Sequence, residues 1–328
     1  MTSTSATTAA RGDRAELERE IESHRRELTG YCYRMLGSSF EAEDAVQEVM
    51  VRAWRSLDSW EGRSSLRSWL YRIAHNVCID MLRGPQRRAR PVDLGPPGRA
   101  DAELAPPTPE SEWITPMRDD RILPPDGDPA DLAAARDSVR LAFVAALQHL
   151  PPRQRAVLIL REVLRWQATE VAELLDTTVA SVNSALQRAR ATLAEADVEA
   201  APALDDDHEA LLAQYVDAFE RYDVGSLVSL LRDDVRFSMP PFPLWIQGPD
   251  EVATFLMGHG IGCKGSRTIV TTPANGCPVV AAYKPDPDGG FTPWALHLLE
   301  ISGGRIASWT NFVGPEHFAA FGLPPRLD

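Results

Sequence analysis

Seven arginines fall within residues 63–90, where the only acid is Asp80. Arginine offers planar, bidentate donors to phosphate oxygens. This run also interleaves Trp69, Tyr71, His75 and Asn76, whose rings and amide suit exposed bases. Arg63, Arg67, Arg72, Arg83, Arg87 and Arg88 are therefore candidate contacts to a nucleic-acid backbone, and Asn76 a candidate contact to a base. A solvated basic face over a core containing Trp69 would carry the same residues. A second polar set comprises Thr178, Ser181, Asn183, Ser184, Gln187, Arg188 and Arg190, backed by the apolar stripe Val182, Leu186, Ala189 and Leu193. Before it, Ala168, Val171, Ala172 and Leu175 give a shorter helix a buried face. Thr178 is a good N-cap, because its hydroxyl can accept a backbone N–H of the next helix. Two such helices around a tight turn make a helix-turn-helix, whose second helix reads base edges while its arginines reach phosphates; an ordinary helical hairpin shares the pattern. A third set, Asp44, Gln47, Glu48 and Val51, recurs at i, i+3, i+4 and i+7 and so shares one helix face with an acidic edge, fit either for a protein partner or for water.

These sets need elements to hold them. Residues 14–83 carry helical periodicity, with a break at 59–65 and a stop at Gly84-Pro85. Residues 91–135 hold ten of the 26 prolines, with 10 acidic and 3 basic residues, which reads as an acidic, Pro-rich linker anchored only at Trp113-Ile114. Helical periodicity returns over 136–197, where Pro151-Pro152 opens a helix and Asp176-Thr177-Thr178 forms the turn. From 205 the pattern changes. Two helices precede strand-like runs at 235–239, 267–272, 278–284, 294–301 and 305–312, separated by Gly-, Pro- and Asp-rich turns, as in an α+β domain with a curved antiparallel sheet. The leading residues, through about 13, read as a disordered lead-in.

A chain of 328 residues is long enough for two or three domains, and 44% hydrophobic residues allow real cores. No apolar stretch approaches a membrane span or a secretory signal. Cys32, Cys78, Cys263 and Cys277 lie at no metal-ligand spacing, so reduced thiols in a cytoplasmic protein, with no metal or cofactor, are expected. The net charge of −13 opposes DNA binding only on average, since residues 205–328 alone hold 16 acids against 8 bases. The acid is concentrated away from the arginine-rich run.

The runs YCYRMLG (31–37), EAEDAVQEVMVRAW (41–54) and WEGRSSLRSWLYRIAHN (60–76) closely resemble region two of extracytoplasmic-function (ECF) RNA polymerase sigma factors. The runs LPPRQRAVLILREVL (150–164) and EVAELLDTTVASVNSALQRARATL (170–193) resemble region four. Asp176 departs from the glycine usual at that turn, though Asp tolerates a left-handed backbone. The stretches 215–241 and IASWTNF (306–312) resemble a SnoaL-type domain, a version of which some of these sigma factors carry. The resemblance implies a multidomain fold, two all-α helical sigma domains (the second with the helix-turn-helix) plus a C-terminal α+β cone-shaped domain. It divides the chain into region two at 14–90, linker at 91–135, region four at 136–199 and SnoaL-like domain at 205–328. The resemblance implies that Asp44, Gln47, Glu48 and Val51 dock on the β′ clamp helices of core polymerase, and that region four meets the β flap. It places Arg63, Ser64 and Arg67, in the 61–67 loop, and Asn76 at the minus-ten element, and the 179–193 helix at the minus-thirty-five element. The protein is then a non-enzymatic initiation factor. Its acidic C-terminal domain regulates it in cis, with no obvious need for a separate anti-sigma factor. Cones of this type enclose a pocket; the candidates here are Asp217, Asp234, His297 and Asn311, with Phe237, Trp245 and Trp294 as walls. Asp234 is expected in solvent and His297 as a satisfied core histidine. Two other readings keep part of the pattern: a one-component ligand-sensing regulator, and an isomerase or cyclase on a DNA-binding chain.

Overall fold

The structure, a computed structural model, describes residues 14–57, 60, 62, 64–83, 88–195 and 208–328. The expected N-terminal lead-in, Arg63, Arg87 and the Gly84-Pro85 stop lie outside the described residues. Two compact units form. One comprises residues 1–87, 121–139 and 146–198, the other 88–120, 140–145 and 199–328.

The first unit is helical. Residues 14–23 lead into α1 (Arg25–Leu36), which Gly37 ends in the left-handed region at φ 73°, its N–H donating to the Tyr33 carbonyl at 2.8 Å. Ser38 caps α2 (Ser39–Ser56) by accepting the Glu41 N–H, and Ser65 caps α3 (Leu66–Met81) by accepting the Ser68 N–H. On α2, Ala42, Ala45, Val46, Val49, Met50 and Ala53 are buried, a helical stripe as the spacing predicts. They pack with Tyr31, Tyr33, Met35, Leu70 and Tyr71, and the thiols of Cys32 and Cys78 are buried and free. Next come α4 (Pro129–Asp137), α5 (Leu141–Gln148), of which 141–145 count with the other unit, α6 (Pro152–Leu158), a π turn over Ile159–Val163, α7 (Ala168–Leu174) and α8 (Val179–Glu195).

Two buried arginines tie the helical segments together. Arg34 donates to the Ser138 carbonyl at 3.1 Å, the Ser138 hydroxyl at 2.7 Å and the Gly30 carbonyl at 2.8 Å. Arg155 donates to Gln148 Oε1 at 2.6 Å, to the Leu150 carbonyl at 3.2 Å and to the Met35 carbonyl. Burial lowers both guanidinium pKa values to about 10, and both stay charged at neutral pH. Together they answer main-chain carbonyls near helix ends, those of Ser138, Met35 and Leu150.

The second unit is α+β. Helices α9 (Glu209–Arg221), α10 (Val224–Ser229), α11 (Pro249–Met257) and α12 (Pro315–Ala320) accompany a six-stranded sheet. Its strands are β1 (Leu231–Ser238), β2 (Trp245–Gln247), β3 (Arg267–Ala274), β4 (Cys277–Pro285), β5 (Phe291–Ser302) and β6 (Arg305–Val313). The order is β2-β1-β6-β5-β4-β3, antiparallel except for the β1–β6 pair. The core gathers Tyr215 and Phe219 from α9, Val252 and Phe255 from α11, and Val280, Leu299 and Trp309 from the sheet. The five strand runs read from the sequence are all present. Strand β2 and helices α11 and α12 were not anticipated.

The linker expectation needs correction. Residues 88–120 belong to this α+β unit and are tied to it along their length. The Trp245 indole donates to the Gly95 carbonyl at 2.8 Å, and the Gly98 N–H to the Trp245 carbonyl at 2.8 Å. The Ala100 N–H donates to Glu251 Oε2 at 2.7 Å, and the Thr108 N–H to the Pro241 carbonyl at 2.9 Å. Met117 and Asn275 exchange two bonds, at 2.9 and 3.1 Å. Ala100, Trp113, Ile114 and Met117 are buried, so the Trp113-Ile114 anchor stands while the free tether does not. Proline lowers the entropy lost when a segment without regular structure is laid down. Side chains and main chain of the rest of the unit accept several of its donors, among them the N–H groups of Gly98, Ala100, Thr108 and Met117. No described helix is long and apolar enough to cross a membrane.

Candidate functional site

The helix-turn-helix forms as the sequence implies. Asp176 takes φ 48°, the left-handed conformation that the turn demands of a residue in the usual glycine position. The Thr177 N–H donates to the Ala172 carbonyl at 2.9 Å, and Thr178 Oγ1 accepts the Ser181 N–H at 3.2 Å. Thr178 is thus spent on capping α8. Val171, Ala172 and Leu174 of α7 bury against Val182, Ala185 and Ala189 of α8; the inner residue at the end of α7 is Leu174, with Leu175 only half-buried. Asn183, Ser184, Gln187, Arg188 and Arg190 are exposed and Ser181 half-buried. Arg190 pairs with Glu162 at 2.5 Å, while Arg188 has no partner among the described residues.

On α3 the arginines split. Arg67 pairs with Glu27 at 2.8 Å, and its guanidinium carbon lies 5.0 Å from the Trp166 ring centroid and 5.4 Å from that of Tyr71. Trp166 and Tyr71 are themselves in contact, centroids 4.9 Å apart. Burial alone would raise the Glu27 carboxyl, but the bonds from His24 and Arg67 outweigh it and hold its pKa below the ordinary value. Arg72 donates to the Glu173 carbonyl of α7 at 2.9 Å. Asn76 is exposed and unpartnered among the described residues, and Ser64 is half-buried. Arg83 is exposed and pairs with Asp80 at 3.0 Å. The assignment of Arg88 to DNA needs correction: it is 5% exposed and donates to the Glu110 and Trp113 carbonyls at 2.8 Å. It braces the 88–120 segment instead. Trp69, expected in the core, is half-buried with its ring 6.2 Å from Trp60.

Asp44, Gln47 and Glu48 are exposed along one side of α2, with Val51 half-buried beside them. Glu48 pairs with Arg52 at 2.6 Å. Trp54, large and apolar, is 39% exposed. It lies seven residues, or two turns, beyond Gln47 on the same face, and its i+7 spacing was the signal for that position.

In the α+β unit, Phe237, Trp294, His297 and Asn311 line one cavity of about 130 Å³. Two other pocket candidates, the acid Asp217 and the wall residue Trp245, need correction. Asp217 is exposed and paired with Arg221 at 2.5 Å, and Trp245 lines a different groove with Arg236 and Glu300. Asp234 is exposed and pairs with Arg232 at 2.8 Å, in solvent as expected. His297 Nδ1 lies 2.8 Å from the Tyr215 hydroxyl, and burial lowers its pKa to about 3, so the ring is neutral. Asn311 donates to the Ser238 carbonyl at 3.0 Å. The sequence reading missed Lys284, whose ammonium lies 3.1 Å from the Trp294 ring centroid at this cavity.

The family model described as Sigma-70 region 2 matches residues 21–88, and that described as Sigma-70, region 4 matches residues 140–193. Among curated proteins, the ECF RNA polymerase sigma factor SigG of Mycobacterium tuberculosis is 41% identical over 319 residues, spanning 96% of this chain and 85% of its own. SigJ of the same organism is 26% identical over 327 residues, spanning 94% of this chain and 95% of its own. The crystal structure of M. tuberculosis SigJ has the same fold, with a TM-score of 0.58 at 20% identity over 94% of this chain and 99% of that one.

Proposed function

The chain belongs to the extracytoplasmic-function RNA polymerase sigma factors, which direct transcription initiation, and we propose that its SnoaL-like unit governs that activity in cis by holding the segment between the two helical modules. Core polymerase and promoter DNA are its partners in the cytoplasm. The exposed face of Asp44, Gln47 and Glu48, bounded by Val51 and Trp54, docks on the β′ clamp helices. Ser64 and the start of α3, with Asn76, capture an unstacked base of the minus-ten element, and region four sits on the β flap with α8 in the minus-thirty-five groove. These steps are binding and strand capture, with no bond made or broken.

The observation that carries the regulatory part is the seat of residues 88–120 on the α+β unit. Two weak DNA readers joined by a tether bind tightly because the tether sets a high effective concentration, and that concentration depends on tether length and freedom. A tether laid along the cone is not free. Arg67 and Arg72 point the same way: they are engaged by Glu27, Trp166 and Glu173 and must exchange these contacts for DNA. Restraint built into the chain needs no separate anti-sigma protein. An operator-binding regulator or a cyclase would leave the region-two match unused.

Run-off transcription with core enzyme tests the proposal. Ala100 is buried in the core of the α+β unit, so Ala100→Asp should unseat the segment and change promoter-specific output severalfold. Equal output from both proteins at every promoter tried would remove cis control; no start-site selectivity from either would remove the promoter assignment.

A further inference from the structure

The cavity in the α+β unit has two features that a merely packed core lacks. His297 is 2% exposed, and the Tyr215 hydroxyl has its Nδ1 as sole hydrogen-bond partner among the described residues. The hydroxyl and the neutral ring carry two protons between them and share one hydrogen bond, so one of those protons has no acceptor among the described residues. An acceptor placed at Nε2 selects the tautomer in which Tyr215 donates to Nδ1 and Nε2 carries the proton. Lys284 is the second feature. Its ammonium rests on the face of Trp294, and no carboxylate pairs with it among the described residues. Its other polar neighbour is the Cys263 thiol, which burial keeps protonated. Phe219, Phe237, Phe255, Met239 and Trp309 supply aromatic and apolar walls.

We propose that this cavity is a binding site for a single-ring aromatic acid, its ring held among the aromatic walls and its oxygens taken by Lys284 and His297 Nε2–H. Size sets the class. An apolar cavity of about 150 Å³ holds one benzene, so one of about 130 Å³ is filled by a single ring and excludes polycyclic ligands, the carboxylate lying towards half-buried Lys284. Charge sets the acid, because a half-buried ammonium without a counter-ion binds an anion better than its neutral isostere. Leu104 of the 88–120 segment forms part of the wall. The occupant thus touches the segment on which cis control was placed above. Its consequence for transcription rests on that reading, but the site itself does not.

Titration calorimetry of the full chain with sodium benzoate, and with benzamide as neutral isostere, needs no polymerase and so is independent of the sigma-factor reading. Benzoate should bind one site more tightly than benzamide. Lys284→Gln should weaken benzoate about tenfold and leave benzamide unchanged, while Lys284→Arg should restore the preference. Leu104→Trp, which fills the cavity from its rim, should abolish both. Absence of saturable benzoate binding, or benzoate affinity indifferent to Lys284→Gln and Leu104→Trp, overturns the proposal.

Discussion

Arg188 and Arg190 lie two positions apart on α8, yet only Arg188 is unengaged: Arg190 already pairs with Glu162. Arg188→Ala should weaken promoter binding of the reconstituted holoenzyme by about 1–3 kcal/mol if the side chain reads a base edge. Comparing matched and scrambled upstream elements in a binding assay checks this, since a phosphate contact would lose affinity equally on both. His297 makes a pH prediction. Its pKa of about 3 lies below the ordinary 6.5 of an unfolded histidine. Between those values the unfolded chain binds a proton that the folded chain refuses, so stability falls as the medium is acidified. His75 and His317, both lowered to about 4 by burial first, act in the same direction. His297→Gln, which still offers an acceptor to Tyr215, should reduce the stability lost between pH 7 and pH 5 by about 2 kcal/mol, read from urea unfolding at the two pH values. At this scale the sequence was a partial guide. Residue type and spacing picked out Asn76, Asn183, Ser184 and Arg188 as exposed polar groups. They could not show that Arg67 and Arg88 are engaged at home, because an arginine that braces a carbonyl and one that awaits a phosphate have the same side chain.

The helix-turn-helix was legible as an element because its signals are local: an N-cap at Thr178, an apolar stripe on α8 and a residue at 176 that accepts positive φ. Helix α11 was missed because its core contacts, Val252, Phe255 and Leu256, span barely two turns after a proline-rich stretch. Residues 91–135 read as a linker because little apolar periodicity accompanies their prolines, whereas the attachment of 88–120 comes from main-chain bonds that leave no pattern in side chains. Arg155 is the corresponding long-range feature of the helical unit. Arg155→Met should destabilise that unit by about 3 kcal/mol, because the carbonyls of Met35 and Leu150 and the Gln148 side chain lose their donor inside the protein. A lowered midpoint in urea with an unchanged far-ultraviolet dichroism spectrum is the expected result.

For the whole molecule, the net charge of −13 conceals a division of labour. The surplus of acid over base lies in residues 91–135 and 205–328, most of which the structure groups in one unit, and the exposed polar face of α8 belongs to the other unit. The proposed control in cis depends on whether 88–120 stays seated when polymerase and promoter bind. Hydrogen–deuterium exchange of the full chain, alone and in an open promoter complex, measures this at the amides of Gly98, Ala100, Thr108 and Ile114, each hydrogen-bonded in the structure. The account predicts slow exchange at these amides in the free protein and markedly faster exchange in the complex. Protection that is equally strong in both states would contradict it.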